Sequence, residues 1–84
     1  MTAKSPIRLF DVQTADRLST LHAFALEHGQ RVNIDFDGYR VPSAWWIIQL
    51  FDHEERDIIS ARGKTLAEAV ADLHERWLAK GLPG

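Results

Sequence analysis

The chain has 84 residues and no cysteine, and its 10 basic residues against 12 acidic ones give a formal net charge of -2. Length predicts a single domain, and the missing cysteines exclude disulfide scaffolds, cysteine-ligated zinc and thiol nucleophiles. The longest apolar run, residues 44–48, is far shorter than the ~18 residues that a membrane span needs. No secretory signal pattern follows the first residues, so we expect a cytoplasmic protein. Residues 1–6 are expected to form a flexible tail, and residues 7–82 a single domain.

The first predicted helix covers residues 15–28. Thr14 is expected to cap its amino end, and Gly29 to stop it in the left-handed conformation. Apolar residues recur at helical spacing along its length and predict one broad buried face. These residues are Leu18, Leu21 and Ala25, flanked by Phe24 and Leu26. The short apolar segment at residues 7–10 indicates either an additional edge strand or a contact for this helix.

Three strands are predicted next. Residues 32–37 alternate apolar and polar side chains, which is typical of a strand with one face against a core. Asp37 and Gly38 mark a turn, and Pro42 argues against a central strand in the connection that follows. Residues 45–51 carry the strongest strand pattern in the chain, and residues 56–62 form the third strand.

The last predicted helix begins with a capping box, in which Thr65 and Glu68 each bond a free amide of the other. Its apolar residues recur at intervals of four, three and four, which places them on one stripe. This stripe consists of Leu66, Val70, Leu73 and Trp77. Gly81 and Pro83 are expected to end the helix. The sequence therefore predicts an α+β fold of order α-β-β-β-α, a three-stranded antiparallel meander with both helices packed on one face.

This order resembles the double-stranded-RNA-binding domain over about residues 14–80. In that family a hydroxyl residue followed by lysines opens the second helix and holds phosphates. Here Gly63-Lys64-Thr65 keeps the approach, but the lysine positions fall on Leu66 and Ala67. Glu68 and Asp72 add negative charge that repels phosphate. The charge pattern therefore argues against the RNA-binding role that the resemblance implies.

A shorter resemblance covers residues 61–69, which look like the junction of last strand and helix in HicB-type antitoxins. Gly63, Thr65, Glu68 and Ala69 match that pattern. The turn containing proline and glycine, which that family carries before its last strand, is missing at residues 52–56. The chain as a whole is similar to small proteins of bacteria and their prophages.

The central strand is apolar on both faces. Trp45, Ile47 and Phe51 lie on one face, and alternation places Trp46, Ile48 and Leu50 on the other. A sheet with helices on one side normally shows water a polar second face. Three explanations remain open: residues 7–10 or the 39–44 loop cover the second face, a protein partner or a second copy covers it, or it lines a ligand pocket.

We therefore expect a small non-enzymatic interaction module, with a homodimer as one form of the association. The expected partner contacts are Trp46, Ile48 and Leu50 if the other three residues are core, although alternation leaves the two faces interchangeable. Pairing of an exposed sheet edge is a related route.

The alternative function is nucleic-acid binding, or regulation of the antitoxin type, through Arg62, Lys64 and Arg56. Catalytic residues, cofactors and metals are not predicted. The serines lie in no nucleophile motif, and the histidines form no helical metal-binding pair. His53 and the acidic residues that follow it fit a solvated turn better than a metal site.

Overall fold

The structure, a computed structural model, describes residues 11–81. It confirms the α+β fold and its order, in which two helices pack on a three-stranded antiparallel sheet. The elements are α1 (Val12–His28), β1 (Arg31–Phe36), a 3-10 turn (Pro42–Ala44), β2 (Trp46–Phe51), β3 (Asp57–Gly63) and α2 (Leu66–Ala79). The predicted tail at residues 1–6, the strand at residues 7–10 and the stop at Pro83 lie outside the described residues.

Helix α1 begins three residues earlier than the sequence predicts. Asp11 is the N-cap, and its Oδ1 accepts the backbone N–H of Thr14 at 2.6 Å. Thr14, the predicted cap, is instead buried within the first turn. Asp11 precedes Thr14 by three residues, the spacing at which a cap carboxylate reaches a free amide. The predicted end is confirmed, because Gly29 has a φ of 64° and donates its N–H to the carbonyl of Ala25.

The strands are arranged in the order β1-β2-β3, and both pairs are antiparallel. Strand β2 begins at Trp46 and not at Trp45, because Trp45 is the C-cap of the 3-10 turn. Strand β3 begins one residue later than predicted, and its pairing with β2 is irregular between Leu50 and Phe51.

The core lies between α2 and the sheet. The predicted stripe of α2 is confirmed, because Leu66, Val70, Leu73 and Trp77 are all buried and pack with Ile48 and Leu50. Helix α2 lies mainly over β3 and β2, whereas α1 packs on α2 and touches β1. The ring of Phe24 in α1 meets the ring of Trp77 edge-on at 4.5 Å, a preferred geometry for aromatic pairs.

The burial of β2 corrects the expected partner contacts. Ile48 and Leu50 are 0% exposed beneath the helices, and Trp46 is partly buried against the same core. A partner cannot reach Ile48 or Leu50 in this fold. Alternation grouped these residues correctly, but it does not determine which side of the sheet the helices cover.

Candidate interaction surface

Exposed apolar side chains gather where β1 ends and β2 begins. We call this surface the aromatic end of the sheet. Its most exposed members on β1 are Ile34 and Phe36, residues that are 43% and 53% exposed. The Phe36 ring lies 5.0 Å from the ring of Trp46 and 6.5 Å from that of Trp45, measured between centroids. The aromatic end consists of Ile34, Phe36, Tyr39, Val41, Trp45 and Trp46.

Ile34 and Phe36 are exposed because the helices stop short of them. The register pairs Ile34 with Ile48 and Phe36 with Trp46, so all four side chains lie on the helix-covered face. Since α2 lies over β2 and β3, the outer strand of this face is left open towards its carboxyl end. The alternation in residues 32–37 predicts that Ile34 and Phe36 face the core, and their exposure corrects this prediction.

The loop between β1 and β2 is held by Asp37. Its carboxylate accepts the backbone N–H of Tyr39 at 2.9 Å and the Nε of Arg40 at 3.2 Å. The indole N–H of Trp45 donates to the carbonyl of Arg40 at 2.9 Å. These bonds fold the loop so that Tyr39 is fully exposed and Val41 is largely exposed. The loop therefore adds two apolar side chains to the aromatic end without covering it.

Strand β1 is an edge strand, and no strand in residues 11–81 pairs with its outer side. The N–H of Asp37 donates to the carbonyl of Trp45 at 2.9 Å. This bond determines which residues of β1 direct their backbone N–H and carbonyl groups towards β2. Odd-numbered residues of β1 therefore bond to β2, and the backbone groups of Val32, Ile34 and Phe36 point outwards. An edge of this kind is a template for another strand.

The opposite edge of the sheet is better protected. Strand β3 carries the irregularity of the β2–β3 pairing, and bulges disturb the flat edge that a new strand needs. The ammonium group of Lys80 donates to the backbone carbonyl of Ile58. This contact places a lysine from the end of α2 at β3. The two edges therefore differ, and β1 is the one that is open in the described part of the chain.

The face of the sheet away from the helices is mixed and not continuously apolar. Strand β2 contributes Ile47, which is buried, and Phe51. The neighbouring strands contribute polar groups: Asn33 donates to the side-chain carbonyl of Gln49 at 3.2 Å, and the Arg31 guanidinium lies 4.7 Å from the Phe51 ring centroid. The predicted second apolar face is therefore confined to one strand, because β1 and β3 surround it with polar side chains.

The three predicted basic residues do not lie together. Arg56 lies in the turn just before β3, where it forms ion pairs with Asp52 at 3.0 Å and Glu54 at 2.9 Å. Arg62 is six residues further along the strand, about 20 Å away at the usual strand rise. Lys64 follows Arg62 closely, and neither forms an ion pair with any residue in 11–81. Two of the three cations are therefore available at one end of the sheet.

The Asp52 carboxylate organises the turn that separates β2 from β3. It accepts the backbone N–H groups of Arg56 at 3.0 Å and Glu54 at 2.8 Å. The hydrogen bond from the Arg56 amide is the largest cause of a lowered pKa for this carboxyl group. His53 and Glu54 belong to this turn, and no group of three metal-binding side chains occurs among residues 11–81.

A cleft of about 130 Å³ separates the two helices. Its lining is largely apolar, with Leu18 and Leu21 from α1 facing Leu73 and Trp77 from α2. Its volume is well below the ~300 Å³ or more of ordinary small-molecule sites. No helix among the described residues is long and apolar enough to cross a membrane.

Comparison with known proteins finds no relative of this chain. No family model matches the chain, and neither a curated protein nor a solved structure shows significant similarity to it. The order α-β-β-β-α is therefore established by the structure alone.

Sequence reasoning missed the aromatic end, although one signal was present. In a meander the first strand lies at an edge, so alternation in residues 32–37 indicates a buried face only where helices reach that far. The sequence pattern predicts only that Tyr39 and Val41 lie in the connection beside the Asp37-Gly38 turn. Their exposure depends on the folded loop, which the sequence pattern does not describe.

Proposed function

We propose that this protein is a small non-enzymatic interaction module whose binding surface is the aromatic end of the sheet. The observation that supports the proposal is the exposure of Ile34 and Phe36 on a strand whose outer backbone groups have no partner in residues 11–81. The apolar side chains offer a protein partner hydrophobic contact, and the backbone groups beside them that residues 11–81 leave unpaired offer it strand pairing.

The composition of the aromatic end also fits a protein partner. Aromatic side chains are enriched where proteins bind each other, because they bury a large area with few rotatable bonds. Trp45 and Trp46 are already partly buried and held by neighbouring rings, so binding restricts them little further. A partner that covers Phe36 and Tyr39 would remove the two most exposed rings of the aromatic end from water.

Site-specific photocrosslinking tests this proposal. A benzophenone amino acid is placed at Tyr39, and a control is placed at Leu26, an exposed residue of α1. In cells that produce the protein naturally, we expect an adduct with a protein identified by mass spectrometry at position 39 only. Phe36→Glu should abolish this adduct while circular dichroism shows a folded chain. No protein adduct at position 39, or the same adduct from position 26, would overturn the proposal.

A second candidate function is nucleic-acid binding by Arg62 and Lys64. The two cations flank Gly63 at one end of β3, and neither forms an ion pair with residues 11–81, so both are available to phosphate groups. The order of the elements, which resembles the double-stranded-RNA-binding domain, and the junction similar to HicB-type antitoxins support the same candidate. The acidic Glu68 at the start of α2 weakens phosphate binding there.

Salt dependence separates the two candidates. If phosphate contacts carry the binding, the affinity for a short single-stranded RNA falls steeply between low and moderate salt. The variant Arg62→Ala/Lys64→Ala should then lose binding, whereas Arg76→Ala, which removes a cation paired with Asp72, should not. Absence of an RNA mobility shift at low salt would exclude this candidate.

A further inference from the structure

We propose that β1 pairs with β1 of a second copy of this chain, antiparallel and about a twofold axis through Asn33, to form a continuous six-stranded sheet. This inference rests on the proposed function, since it names the partner of the same surface. It follows from three features of β1: the direction of the backbone groups that no strand of residues 11–81 pairs, the apolar side chains on one face, and the unlike charges on the other.

The backbone groups that this register requires already point outwards from β1. Val32 and Ile34 point their N–H and carbonyl groups away from β2, as the Asp37–Trp45 hydrogen bond fixes. With Asn33 on the axis, Val32 of one copy lies opposite Ile34 of the other, and each such pair exchanges two backbone hydrogen bonds. The twofold axis repeats the exchange on its other side. No bond between β1 and β2 has to break.

The apolar face of the strand is self-complementary in this register. The side chains of Val32 and Ile34 alternate across the axis on the helix-covered face, with Phe36 beside them at each end. Ile34 is 43% exposed and Phe36 53% exposed in the single chain. Neighbouring side chains on one face of an antiparallel pair stabilise it by direct contact. Pairing therefore buries the part of β1 that α2 leaves open.

The polar face fixes the register through charge. With Asn33 on the axis, Arg31 of each copy lies opposite Asp35 of the other, so two unlike pairs form. The Asp35 carboxylate accepts no hydrogen bond and forms no ion pair with residues 11–81. Moving the axis to Ile34 would place Arg31 opposite Asp37, whose carboxylate is already held by Tyr39 and Arg40. The free carboxylate favours the register about Asn33.

Arg31 can serve both its present contacts and the new one. Its Nη2 donates to Glu55 at 2.6 Å, and its guanidinium lies over the Phe51 ring. A guanidinium carries five donor hydrogens, so one carboxylate leaves donors for a second. The ring beneath it holds the group over the polar face of the sheet, on the same side as Asp35. Arg31 is therefore oriented for the charge pairing before the two copies meet.

Sedimentation equilibrium of the full chain, from about 1 µM to about 1 mM, tests the pairing. We expect the wild type to form a dimer as concentration rises. Asp35→Lys places a cation opposite Arg31 twice and should weaken the dimer by at least about tenfold. Arg31→Glu combined with Asp35→Lys exchanges the charges and should restore most of the lost affinity. Asp57→Lys, the same charge change on an exposed residue of β3, should leave the affinity unchanged.

Hydrogen exchange provides a second readout that does not depend on these variants. The N–H groups of Val32 and Ile34 should exchange rapidly in the monomer and slow down as the dimer forms. A monomer at every concentration, or a dimer whose affinity is indifferent to Asp35→Lys and whose Val32 and Ile34 amides stay unprotected, overturns the pairing. A monomer that still gives the Tyr39 adduct with another protein would leave the proposed function standing, and a monomer without that adduct would remove both.

Discussion

Gly63 lies directly against the backbone of Ala69, at the point where β3 turns into α2. A Cβ atom at position 63 would stand 2.5 Å from the backbone nitrogen of Ala69 and 2.9 Å from atoms of Glu68. Distances this short are not met between a Cβ and backbone atoms, so one of the two elements would have to move. The glycine therefore allows the first turn of α2 to approach the end of β3.

We expect Gly63→Ala to lower the free energy of unfolding by about 1–3 kcal/mol, the usual cost of overpacking a tight site. Gly38→Ala is the matched control, because a Cβ there meets Phe36 at an ordinary 3.6 Å. Urea denaturation of both variants measures the difference. Equal stability of Gly63→Ala and Gly38→Ala would show that β3 and α2 are not packed as closely as described.

The capping box of α2 gives a second prediction. The N–H of Glu68 donates to Thr65 Oγ1 at 3.1 Å, and the N–H of Thr65 donates to Glu68 Oε2 at 3.3 Å. Thr65→Ala should cost about 1 kcal/mol of unfolding free energy, whereas Thr65→Ser keeps the hydroxyl and should cost less. Because the two side chains cap each other, the effects of Thr65→Ala and Glu68→Ala should not be additive. Additive effects in a double-mutant cycle would contradict this coupling.

Two leucines of α2 test the placement of the core. Leu73 is buried among core residues, and Leu78 is 56% exposed on the same helix. Leu73→Ala should destabilise the protein by about 2–5 kcal/mol, since it leaves a cavity. Leu78→Ala should change stability by no more than about 0.5 kcal/mol. Thermal or urea unfolding of the two variants makes the comparison. A larger loss of stability for Leu78→Ala than for Leu73→Ala would show that the packing of α2 on the sheet described above is wrong.

We expect the stability of the protein to depend on pH through Asp52, in the turn between β2 and β3. The amides of Arg56 and Glu54 hold the pKa of Asp52 below its usual 3.8 in the folded chain. A lowered folded pKa means that the stabilisation is present above the unfolded value and is lost as the pH falls through the folded value. Asp52→Asn should therefore reduce the loss of stability between about pH 5 and pH 2. Urea titrations across this range measure it.

The control for Asp52 is Asp57→Asn. The carboxylate of Asp57 is exposed, and no described backbone amide donates to it. If both variants flatten the pH dependence equally, then the hydrogen bonds within the turn are not the cause.

Most elements of this fold can be predicted from local patterns along the chain. Helix α2 was predicted closely because its signals are local: the capping box spans four residues, and the apolar stripe repeats with the helical turn. The order of the strands and their antiparallel sense followed from short connections. At α1 the local pattern was incomplete, since Thr14 and Asp11 both suit a cap and only the folded chain shows which one bonds the free amide.

Which side of β2 the helices cover, and therefore which side chains remain exposed, depends on how the elements pack together. Alternation is symmetric: it separates Trp46, Ile48 and Leu50 from Ile47 and Phe51 but does not say which set meets α2. Likewise, the exposure of Ile34 and Phe36 depends on how far α2 extends across the sheet, a distance between elements that no spacing along the chain encodes. The aromatic end, and the edge of β1 that no strand in residues 11–81 pairs with, are therefore properties of the packing.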